Sequence, residues 1–122
     1  MNLPEHSTCI TGAAQTPAAR PSPRTALQLT LDAAYAALAD AGLSAKDLDG
    51  VATYPGKTSE GGGISPVGTA EMADAMGFTP RWVLSTGEGF SHMSPVFNAC
   101  AAIHAGLARH VLVFRTVAQA TA

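Results

Sequence analysis

Residues 26–56 read ALQLTLDAAYAALADAGLSAKDLDGVATYPG, and this stretch decides the fold. Leu27, Leu31, Ala34, Leu38 and Ala41 step by three and four, which puts them on one stripe of a helix. The helix is predicted from Thr25 to Ala41, with Gly42 as its C-cap. LSAKDLDG follows as a short helical turn with Ser44 at its N-cap. Val51 to Tyr54 is predicted to be a strand. A long Ala/Leu helix feeding a short apolar strand is the unit from which α/β sheets are built.

Working outward, the same alternation continues on both sides. Upstream, a strand is predicted from Thr8 to Thr11, leaving through Gly12 into a loop whose prolines at 17, 21 and 23 forbid regular structure. Downstream, a loop over 55–65 precedes a helix from Pro66 to Met76, which Gly77 ends. Arg81 to Ser85 reads as a third strand, followed by the turn TGEGF at 86–90. A third helix is expected over His92–Leu107, with Met93, Val96, Cys100, Ile103 and Leu107 on its buried face. Val111 to Phe114 is apolar at every position, as strands buried in a parallel sheet are. The expected architecture is α/β: a mostly parallel sheet with helices on both faces. Numbered along the chain, its strands are expected in the order 3-2-1-4 or a close relative, with the helices from Thr25 and His92 on opposite sides.

Composition removes several function classes. The chain of 122 residues is 47% apolar and only 13% charged, which fits a packed core and not a disordered segment. Its net charge is −2, and the bases Arg20, Arg24, Lys46, Lys57, Arg81, Arg109 and Arg115 are scattered. A nucleic-acid surface is basic and clustered, so that class is set aside. No apolar run approaches the roughly 18 residues that span a bilayer, and the N-terminus lacks the pattern of a secretory signal. Cys9 and Cys100 form no CxxC or Cys/His cluster and read as reduced, buried thiols of a cytoplasmic protein. No spacing suggests a metal site. The GGG at 61–63 lacks the strand-before, helix-after setting of a nucleotide loop and reads better as a substrate-facing loop.

Residues 26–56 closely resemble the thiolase family, in which a long Ala/Leu helix ending in ALADAGL leads through an acidic turn to a "DGV" strand. FSHMSPVFNACAAIHAGLARHVLVFRT at 90–116 is similar to the family's nucleophile helix and following strand. SPVGTAEMADAMGFTPRWVLSTGEG at 65–89 resembles the thiolase-like lipid-transfer branch, which includes the aldolases of steroid side-chain degradation. The resemblance runs from about Cys9 to Thr116. It implies that residues 1–122 form the N-terminal domain of a thiolase fold whose C-terminal half is absent.

Thiolases place a cysteine at the start of the third helix, where the helix dipole lowers its pKa for attack on an acyl-CoA. Here that position falls at about Gly89, and no cysteine lies nearby. Cys100 sits about two turns further on, inside the expected apolar stripe. The aldolase branch also lacks the cysteine and has a glycine-rich turn, similar to Ser85–Gly89. What the resemblance implies is retro-aldol cleavage of a β-hydroxyacyl-CoA, with acid/base tyrosines drawn from the C-terminal half. Coenzyme A is then part of the substrate, and no other cofactor is implied. The implied partners are a second copy, or a chain supplying the C-terminal half, with an OB-fold accessory protein as in the branch.

Gly87, Gly89 and His92 are the catalytic candidates; Ser85, Thr86, Glu88 and Ser91 are the candidates for substrate contact. Backbone N–H groups at Gly87 and Gly89 would hold an oxyanion, and His92 would donate a proton near neutral pH. Each has a plainer reading. The glycines suit any tight turn, Ser91 suits an N-cap, His92 a cap or a surface position, and Glu88 a solvated side chain. Two other functions compete: an acyl-CoA acyltransferase, against which the missing cysteine counts, and a non-catalytic assembly subunit.

Overall fold

The computed structural model describes residues 8–17, 25–54, 66–85 and 94–117. Helix α1 spans Ala26–Ala41 and begins where its cap dictates. The Thr25 hydroxyl accepts from the Gln28 N–H at 3.1 Å, while the Gln28 side chain accepts from the Thr25 N–H at 2.9 Å. The helix ends at Gly42, whose φ of 74° is costly for any residue with a Cβ. The Leu43 N–H then donates back to the Leu38 carbonyl. A single 3-10 turn at Ala45–Asp47 follows, tightened by the Asp47 carboxylate, which accepts from the Ser44 N–H and hydroxyl. Those bonds, the backbone one foremost, hold the Asp47 carboxyl below the usual aspartate range.

Three four-residue strands follow: β1 (Gly50–Thr53), β2 (Trp82–Ser85) and β3 (Val111–Phe114). Helix α2 (Thr69–Met76) joins β1 to β2, and α3 (Ser94–His104) joins β2 to β3. The sheet is parallel in the order β2-β1-β3, with Val51 opposite both Val83 and Leu112. Val51 and Leu112 join Ala34, Leu38, Met72, Ala73, Met76 and Phe78 in one buried cluster, so α1 and α2 cover the same face. Helix α3 packs on β1 and β3 without contributing to that cluster, and it covers the other face. Helices on both faces, and on the sides expected for α1 and α3, are therefore observed.

One expected strand is missing. Thr8–Thr11 is not a strand, and the order 3-2-1-4, which would seat it beside the strand at 50–53, does not form. The reason lies in contacts with residues distant in sequence. Strand β1 already has a neighbour on each side, and the first segment is held elsewhere, along the last turn of α1. The Ala13 N–H donates to the Asp40 carboxylate at 3.1 Å, and Gly12 lies so close to Ala37 and Ala41 that a Cβ would strike the Ala37 carbonyl. Ile10 is consequently 74% exposed, and Cys9 is exposed where burial was expected.

The buried face of α3 is also rotated from the expected one. Pro95, Ala99 and Ala102 are buried; Val96, Cys100 and Ile103 are only half-buried, and Leu107, beyond the helix, is exposed. Strand β1 explains this. At Gly50 an added Cβ would sit 2.8 Å from Val111 Cγ2 and 3.2 Å from Ala108 Cβ. That side of β1 carries only the small residues Gly50 and Ala52, and the buried residues of α3, Pro95, Ala99 and Ala102, are small as well. We expect Gly50→Ala to overpack this layer and cost about 1–3 kcal/mol, read from the urea midpoint; an unchanged midpoint would show the layer to be loose.

Candidate functional site

All three strands end on one side of the sheet, and of the site residues predicted from sequence one, Ser85, is described there. Ser85 is the last residue of β2, exposed, and in register with the buried Thr53 of β1. The other candidates, Thr86, Gly87, Glu88, Gly89, Ser91 and His92, lie outside the described residues. Strand β2 ends at Ser85 and α3 begins at Ser94, on either side of those residues.

Two elements that the sequence reading passed over meet at this same end. Tyr54 follows β1 directly, and Arg115 follows β3. The Arg115 guanidinium donates to the Tyr54 carbonyl at 3.2 Å and lies 5.9 Å from the centroid of the Tyr54 ring. The backbone around Arg115 is pinned on both sides. The Thr53 hydroxyl donates to the Phe114 carbonyl at 2.8 Å, and the Thr116 hydroxyl pairs with that of Thr30 at 2.5 Å. Thr30 and Thr116 are both buried, so α1 and β3 are tied by a satisfied polar contact. The available signal was an arginine placed immediately after an apolar parallel strand, at the end where such sheets bind ligands.

The opposite end of the sheet carries a different cluster, built on Asp49. Its carboxylate accepts from the N–H groups of Arg109 (2.9 and 3.0 Å) and His110 (2.9 Å). Its carbonyl accepts from Arg81 and Trp82, and its N–H donates to the His110 carbonyl. Arg81 also approaches it at 3.9 Å, but that side chain is 68% exposed and the ion pair adds little. This end is therefore a structural clamp.

Neither cysteine is built as a nucleophile. Cys100 lies inside α3, away from its first turn, where no helix dipole activates it. Cys9 belongs to the segment held against the end of α1. We expect a small disulfide reagent to label Cys9 quickly and Cys100 slowly, and Cys100→Ala to cost of order 1 kcal/mol. Rapid labelling of Cys100 by an acyl-CoA electrophile would reverse this assignment. Among the described residues no group of His, Cys, Asp and Glu has the makings of a metal site, and no helix is long and apolar enough to cross a membrane.

The described architecture is that of a small α/β domain whose site, if it follows the rule for parallel sheets, lies beyond the carboxyl ends of its strands. Among solved structures the chain is similar to a chain of an Ltp2-ChsH2(DUF35) aldolase, with a TM-score of 0.78 and 29% sequence identity. The match covers 93% of this chain and 28% of that one, so this chain spans well under a third of its neighbour's length. No family model and no curated protein matches the chain.

Proposed function

We propose that the chain is the N-terminal part of a thiolase-superfamily protein of the lipid-transfer branch, acting in retro-aldol cleavage of a β-hydroxyacyl-CoA. The observation that carries this reading is the likeness to the Ltp2-ChsH2(DUF35) aldolase, at 29% identity over nearly the whole chain. The absence of a cysteine from Ser85–Ser94 supports a lyase over an acyltransferase, because carbon–carbon cleavage by this route needs no nucleophile.

In the proposed reaction a base removes the proton of the β-hydroxyl group and the Cα–Cβ bond breaks. One fragment leaves as an aldehyde or ketone. The electron pair passes to the thioester as an enolate, which is then protonated at carbon to give a shortened acyl-CoA. The N–H groups of Gly87 and Gly89 would hold the enolate oxygen, and His92 would move a proton beside them. Ser85, Thr86, Glu88 and Ser91 would line the thioester. Coenzyme A enters only as part of the substrate. The substrate class proposed is a lipid or steroid side-chain thioester, and the compartment is the cytoplasm.

The neighbour's name joins two components, which supports a partnered protein here. We assign the partner roles to a chain carrying the C-terminal half and to an OB-fold accessory protein, with a homodimer formed through β2 and its turn. The test is co-purification with such partners, followed by a cleavage assay on a panel of β-hydroxyacyl-CoA thioesters, reading both the carbonyl fragment and the shortened thioester. Cleavage of at least one panel member supports the reading. Acyl transfer to free coenzyme A without carbonyl release would make the protein an acyltransferase instead. An assembled complex that does neither would leave the chain an assembly subunit.

A further inference from the structure

We draw no further inference here: the strongest candidate, the outer face of α3 and the turn beyond it, where Phe97 and Leu107 are exposed and His104 is the sole ionisable side chain on the helix besides Cys100, is an unpartnered apolar face, and nothing in the structure shows what covers it.

Discussion

Asp49→Ala is expected to destabilise the domain by about 2–3 kcal/mol, a large loss for a polar side chain. The carboxylate satisfies the N–H groups of Arg109 and His110 just before β3. The backbone of the same residue holds the start of β2 through Arg81 and Trp82. Removing the carboxylate frees the approach to β3 and leaves two backbone donors to find water. Some of that cost is recovered, because the Arg109 bond is exposed, and this keeps the loss below the upper range for buried charges. The substitution Asp49→Asn keeps one acceptor oxygen and should cost about half as much. Urea unfolding of both variants checks the ranking; equal midpoints for wild type and Asp49→Ala would show that the clamp is ornamental.

The second expectation concerns turnover. The isolated chain should cleave no β-hydroxyacyl-CoA above background, whereas its complex with a C-terminal-half partner should. The proposed chemistry requires this. In the proposed reaction His92 alone cannot replace the acid/base tyrosines expected from a C-terminal half, and general acid–base catalysis contributes roughly 10²–10⁴-fold in rate. Exposed apolar residues should also drive association. Phe97 is 60% exposed on α3, Leu107 is 52% exposed just beyond it, and Val83 is 49% exposed on β2. Light scattering should accordingly show a dimer or larger species. A stable monomer that turns over any thioester would defeat the association and the split-site ideas together.

Much of the fold was legible because its signals are local. Thr25, Gln28 and Gly42 mark the ends of α1 in the chain itself, and the bounds of β3 agree residue for residue. What was not legible depended on distant neighbours. The CIT segment at 9–11 has the composition of a strand, but β1 is flanked on both sides and Gly12 and Ala13 are held against α1. The stripe on α3 was read from its larger side chains. Its actual packing follows from how little side chain β1 presents at Gly50 and Ala52, in a part of the sequence far from α3. At the candidate site, Ser85 falls at the carboxyl end of β2 as expected. The Tyr54–Arg115 contact is a pairing across 61 positions that no local pattern announces.

Strand β3 has a practical consequence for anyone producing this protein. Its outer edge meets no described strand, and Val111 and Val113 are only half-buried there. The sequence VLVF offers no lysine, proline or bulge to deter pairing. The backbone groups that would seat an adjoining strand will accept any extended segment that presents itself, including one from another molecule of the same kind. Soluble yield should then be higher when a companion chain is made in the same cell than when this chain is produced by itself.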